Sequence, residues 1–168
     1  MHKRTKLKVL GASAVASIAL AVGMATVASA GHENTVLTAT LDGRNEVSTT
    51  ATDSRIVGDP NGKGEAYVFG IDGDTKTLCY VLTVSKIGTA KAAHIHEAAA
   101  GSNGPVVVNL AAPADGNAAD CLTEGEPGKF SGGATVAEIL ANPQDYYVNV
   151  HNAEYPGGAI RGQLAPQG

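Results

Sequence analysis

The sequence predicts an all-β fold, an antiparallel β-sandwich or barrel of about seven to eight strands with one short helix. Short runs rich in Val, Ile, Tyr and Thr recur along the chain, and turn residues separate them. Nineteen of the 21 glycines lie beyond residue 30, scattered as punctuation between apolar runs. Only one segment carries a helix-start signal.

The expected strands are residues 35–41, 64–71, 77–84, 92–96, 106–110, 146–151 and 159–164. Each reads as a strand because its apolar residues alternate or run continuously over four to eight positions. Asp59-Pro60-Asn61-Gly62 reads as a turn before the second strand. Ile71-Asp72-Gly73-Asp74-Thr75 reads as the hairpin turn after it, because Gly73 can take the positive φ that a tight hairpin needs. Residues 111–133, with Gly, Pro, Asp and Glu throughout, read as one long loop. Thr135-Val136-Ala137-Glu138 has the capping-box pattern, with Ile139-Leu140 as the apolar side of a short helix and Asn142-Pro143 as its stop.

The first 30 of the 168 residues have the order of an export leader. His2, Lys3, Arg4, Lys6 and Lys8 form a basic start, residues 9–27 are apolar, and Ala28-Ser29-Ala30 is a signal-peptidase pattern. The expectation is a signal peptide over 1–30 and one β domain over 31–168, secreted; a leader retained as an anchor is the alternative. Four of the 12 Lys and Arg lie in the leader, which leaves eight basic residues against 16 acidic ones, a net −8. That balance argues against nucleic acid as a partner, which needs clustered Lys and Arg. No second apolar run of about 20 residues follows residue 27, so no helical membrane span is expected after cleavage. An exported chain meets an oxidising compartment, so Cys79 and Cys121, outside any Cys-x-x-Cys motif, are expected to pair.

Four ordered motifs carry a family resemblance. They are Ala93-His94-Ile95-His96; Gly101-Ser102-Asn103-Gly104-Pro105-Val106-Val107-Val108; Tyr146-Tyr147-Val148-Asn149-Val150-His151-Asn152; and Pro156-Gly157-Gly158-Ala159-Ile160-Arg161-Gly162-Gln163-Leu164. Together with residues 41–47, similar to a Leu-x-Gly-x-x-Glu-Val stretch, they resemble the chordin-type (CHRD) domain. Ser48-Thr49 stands where that family usually has prolines, Asn152 where Thr is common and Ala159 where Glu is common. The resemblance implies a secreted all-β domain; in animal chordin such modules belong to an extracellular antagonist of growth factors.

Any special chemistry rests on the histidines. Side chains alternate across a strand, so His94 and His96 project together while Ile95 faces the core. By the same rule Val148, Val150, Ile160 and Leu164 point inward, and Asn149, His151, Arg161 and Gln163 point outward onto an exposed face. The strands of His151 and Arg161 are expected to form a hairpin. His94-Ile95-His96-Glu97 and Val148-Asn149-Val150-His151 are also similar to the copper-binding strands of Cu/Zn superoxide dismutase, with Arg161 as an anion guide. The histidine that bridges the two metals in that family has no counterpart here, since residues 97–110 contain none.

Three readings of this face stay open. The histidines hydrogen-bond loop carbonyls and pin residues 101–104; or His94, His96 and His151 bind copper or zinc; or Arg161 and Asn149 contact an anion or a peptide. Arg161 has a plainer role too, pairing with Glu97 or Glu154. Calcium is disfavoured, because the acidic turns lack EF-hand spacing. Ser102 and Ser131 lack a Gly-x-Ser-x-Gly elbow, the Gly-rich segments lack a phosphate-loop ending, and a paired-carboxylate glycosidase has no signature here. The reading is a binding or structural module, not an enzyme, with an unidentified extracellular protein or small ligand as partner; the alternative is a copper or zinc metalloprotein.

Overall fold

The computed structural model describes residues 35–48 and 56–168. The expected leader lies outside the described residues. The strands are β1 (Val36–Asp42), β2 (Lys63–Ile71), β3 (Asp74–Ser85), β4 (Ala90–Glu97), β5 (Val106–Leu110), β6 (Asn117–Thr123), β7 (Tyr146–Asn152), β8 (Ile160–Gln163) and the two-residue β9 (Ala165–Pro166). One helix, α1 (Val136–Ala141), lies between β6 and β7. All pairings are antiparallel, in the order β5-β4-β7-β8-β1-β2-β3-β6, with β9 on β1, so a single sheet curls into a nearly closed barrel. None of the described helices is long and apolar enough to cross a membrane.

Alternation accounts for the interior. Leu37 and Leu41 of β1, Val68 of β2, Leu78 and Leu82 of β3, Ile95 of β4, Val148 and Val150 of β7 and Ile160 of β8 are all fully buried. A fully buried side chain of this size contributes about 1.5–3 kcal/mol, so a slip by one residue in β7 would exchange two valines for Asn149 and His151 in the core. Register is fixed for that reason. Tyr80 is also interior, and its Oη accepts from Ala111 N at 2.7 Å, tying β3 to the end of β5.

The local punctuation follows the expected chemistry. Ile71 pairs with Asp74, leaving Asp72-Gly73 as a two-residue turn with Gly73 at φ 78°. At Asp59 the carboxylate accepts from Asn61 N at 3.0 Å, an Asx turn. Thr135 caps α1 with the full reciprocal box, its hydroxyl accepting from Glu138 N while the Glu138 carboxylate accepts from Thr135 N. Val136 and Ile139 form the buried side of α1.

One expectation fails. Residues 111–133 are not a single loop, because they contain β6, which pairs with β3 along its whole length. Leu122 is its one buried residue, so a polar edge strand showed no apolar alternation to read. The same segment then returns along β5, with Asn109 N donating to Lys129 O at 2.8 Å and Ser131 N to Val107 O at 2.9 Å. Both free edges of the sheet thus come from, or are covered by, this stretch.

Cys79 and Cys121 sit directly opposite one another in the β3–β6 register and form the disulfide. The bridge closes a loop of 42 residues and locks the outermost strand to the barrel. Removing both sulfurs (Cys79→Ala with Cys121→Ala) should lower the unfolding free energy by roughly 2–4 kcal/mol in urea denaturation. Hydrogen exchange should speed up in β6 before β7, and equal acceleration in both strands would contradict this placement of the staple.

Candidate functional site

Register places the candidate side chains on a small grid. His94 of β4 pairs with Asn149 of β7, which pairs with Arg161 of β8; in the next row His96 pairs with Tyr147, which pairs with Gln163. His151 lies opposite Ala92, one row the other way. Because Ile95, Val148, Val150 and Ile160 fill the core, all these side chains stand on the outer face. The expected hairpin of β7 and β8 is present.

The exposure expected for this face is absent at its centre. Asn149 is 3% and Arg161 2% exposed, because loops 98–105 and 43–48 fold back over the sheet and cover them. Nor does Arg161 pair with Glu97 or Glu154. Its Nη2 donates to Ser102 O at 2.6 Å and its Nη1 to Asn103 Oδ1 at 3.1 Å, while its guanidinium carbon lies 3.4 Å from the Tyr147 ring centroid. A guanidinium can occupy this position because its planar fork meets two oxygens while its face meets an aromatic ring.

Other side chains close the same loop. His96 stacks on Tyr147, with ring centroids 4.8 Å apart and planes at 9°. Its Nδ1 donates to Gly104 O at 2.9 Å, and Gly104 N donates to Tyr147 Oη at 3.3 Å. Gln163 Nε2 lies within 3.0 Å of the carbonyls of Ala98, Gln144 and Tyr146. Residues 101–104 are pinned by His96 at Gly104 and by Arg161 at Ser102 and Asn103, and Gln163 holds the start of the same loop at Ala98.

His94 and His151 do something different. His151 Nδ1 donates to Pro156 O at 3.1 Å, which turns its Nε2 towards His94 Nδ1, also 3.1 Å away. One nitrogen from each of His94, His96 and His151 falls within 4.8 Å of the others. Among the described residues these three form the one such group of His, Cys, Asp or Glu. Burial lowers the pKa of all three rings, and for His94, with His151 and His96 beside it, to about 4.

Beside the histidines lies a hollow of about 360 Å³ lined by Glu46, Val47, His96, Tyr147, Asn149, Glu154, Tyr155 and Pro156 among others. Its Glu46 is mostly buried, and burial pushes the carboxyl up to about 7 against the opposing pull of Arg161 and a 3.4 Å hydrogen bond from Asn149 Nδ2. Close approach of backbone makes room for it: a Cβ at Gly158, where φ is 144°, would lie 2.5 Å from Glu46 Oε2. Buried Glu46 Oε1, Asn149 Oδ1 and His96 Nε2 have no hydrogen-bond partner among the described residues.

Sequence reasoning singled out neither Glu46 nor Tyr147 for the site. Glu46 lies outside every strand, so alternation says nothing about where it points, although it ends the Leu41-Asp42-Gly43-Arg44-Asn45-Glu46 stretch. Tyr147 follows the same alternation that placed Asn149 outward.

The whole is a nearly closed antiparallel barrel with a second, polar layer of His, Arg, Gln and Tyr that clamps loops onto its outer face. This chain belongs to the CHRD domain family, whose model matches residues 37–164. No curated protein and no solved structure matches it.

Glu46 makes the site pH-sensitive, with a definite sign. Its folded pKa of about 7 exceeds the ordinary 4.5, so its contribution to stability is present below pH 4.5 and is lost as pH rises through 7. His94, folded at about 4 against an ordinary 6.5, acts oppositely: its contribution is present above 6.5 and is lost as pH falls towards 4. Arg161, Asn149, His96 and Glu154 surround Glu46 and are unchanged in Glu46→Gln. The difference in Tm between Glu46→Gln and the parent should therefore grow in favour of the variant from pH 4.5 to 7.5. A constant difference would mean that the carboxyl is not held in its neutral form.

Proposed function

We propose that this chain is an exported CHRD-type binding module, freed of residues 1–30 by cleavage after Ala30, and that the hollow beside β7 is its recognition site. The disulfide fits the oxidising compartment that export implies. One observation carries the choice of site: two buried acceptors, Glu46 Oε1 and Asn149 Oδ1, have no partner among the described residues and belong to residues lining one hollow. Acceptors left unpaired cost about 1–3 kcal/mol each, and a bound donor recovers that cost.

The chemistry of the lining points to a cation. Two carboxyls, Glu46 and Glu154, line the hollow, and among the described residues no Lys or Arg does. Val47, Val57, Tyr155 and Pro156 supply apolar walls on which an alkyl chain packs. An alkylammonium group, whether a lysine side chain of an extracellular protein or a small amine, matches both features. Asn149 is the direct ligand contact; Arg161 serves from beneath, by holding Ser102 and Asn103.

Titration with n-butylammonium, followed by amide and side-chain NMR shifts, tests the proposal. Saturable shifts are expected at Asn149 Nδ2 and Val47, with affinity rising from pH 5 to 8 as Glu46 ionises. Glu46→Gln should weaken binding by about tenfold or more, in line with one lost charge-assisted hydrogen bond of about 1.5–3 kcal/mol. Unsaturable shifts, or equal affinity in Glu46→Gln, would reject the hollow as an ammonium site.

A further inference from the structure

We propose that His94, His96 and His151 form a three-imidazole site for a divalent transition metal, with copper(II) preferred, through Nδ1 of His94 and Nε2 of His96 and His151. This site needs neither Glu46 nor Asn149, and His96 alone is common to it and the ammonium hollow.

The geometry comes from the strands. His94 and His96, two residues apart on β4, share the outer face, and His151 on the neighbouring β7 reaches across to them. One nitrogen of each already lies within 4.8 Å of the others, and the His94–His151 pair is at 3.1 Å. Metal–imidazole bonds of about 2.0–2.1 Å in a tetrahedral arrangement separate the nitrogens by about 3.3 Å. Small ring rotations close the remaining gap, because all three imidazoles are half-buried on paired strands.

At His96 and His151 the tautomers favour the same nitrogens. His96 Nδ1–H is committed to Gly104 O and His151 Nδ1–H to Pro156 O, so each ring turns a lone pair on Nε2 towards the cluster. Carbonyls that fix the tautomer and aim of a ligand imidazole are the usual outer partners in metal sites. His96 Nε2 is buried and otherwise without a partner, and a metal ion supplies one. His94 Nδ1–H donates to His151 Nε2 at 3.1 Å, and moving that proton to His94 Nε2 lets a shared ion bridge the two nitrogens.

The donor set chooses the metal. Three neutral imidazoles without a carboxylate suit copper or zinc and not calcium or magnesium. Between the first two, the usual affinity order places copper(II) first. Partial exposure of the rings leaves a coordination position for water.

Isothermal titration of the full chain, purified without a polyhistidine tag and stripped of metal, tests the site with CuCl₂ and ZnCl₂. One copper(II) per chain is expected, with zinc bound more weakly. The bound copper should give an electron paramagnetic resonance spectrum with nitrogen hyperfine splitting. His94→Gln and His151→Gln should each weaken copper binding by about 100-fold, with folding checked by circular dichroism. His32→Ala should bind copper as the parent does, because the proposed ligands are His94, His96 and His151. Absence of stoichiometric copper binding would overturn the site, as would unchanged affinity in either Gln variant or loss of binding in His32→Ala. If a Gln variant fails to fold, the hyperfine pattern of the parent decides: nitrogen splitting supports the site and oxygen-only coordination overturns it. His96 also lines the hollow, so the n-butylammonium titration is run on metal-free protein, where its result at Glu46 and Asn149 is read separately from copper binding.

Discussion

The outer face of this barrel depends on one buried cation. Arg161 carries its charge beneath loop 98–105, where solvent does not reach it, and that position is tolerable only because Ser102 O, Asn103 Oδ1 and the Tyr147 ring all meet the guanidinium. Hydrogen bonds to a charged group contribute about 1.5–3 kcal/mol each, and a desolvated cation–π contact about 2. Glu46 completes the balance from the other side, since Arg161 opposes the burial that would otherwise raise that carboxyl further. Without the guanidinium the loop loses its central anchor and the hollow loses one wall.

The rest of the polar layer follows from where the loop is held. Gly104 comes to rest against His96 and Tyr147, so the His96 ring has its Nδ1 engaged and its Nε2 free. Pro156, at the far side of the hollow, does the same for His151. Strands supply the positions and loops supply the tautomers. A lone pair aimed at a fixed point is a property of both, and it makes pinning and ligation compatible functions of one histidine.

Much of this was legible in the residues. Period-two alternation around Ile95, Val148, Val150 and Ile160 placed His94, His96 and His151 together, and the capping box and the Asp72-Gly73 turn formed where their chemistry put them. Two things were not legible. β6 has a single fully buried residue, Leu122, so no apolar periodicity marks it, and only its pairing with β3 makes it a strand. Alternation also says which face a side chain takes but not what lies above that face. Arg161 and Asn149 were read as exposed because burial by a folded-back loop depends on contacts between residues about 60 positions apart. Glu46 was missed because it lies outside every strand, where alternation says nothing about direction.

The central claim is that backbone carbonyls hold two imidazoles as single tautomers with their lone pairs turned inward. Long-range proton–nitrogen correlation NMR on the metal-free protein measures this directly, because protonated and lone-pair ring nitrogens resonate far apart. The account predicts that His96 and His151 are both Nδ1–H tautomers at neutral pH, each with an unprotonated Nε2. Nε2–H tautomers at either residue, or averaged nitrogen shifts typical of a freely titrating surface histidine, would contradict it.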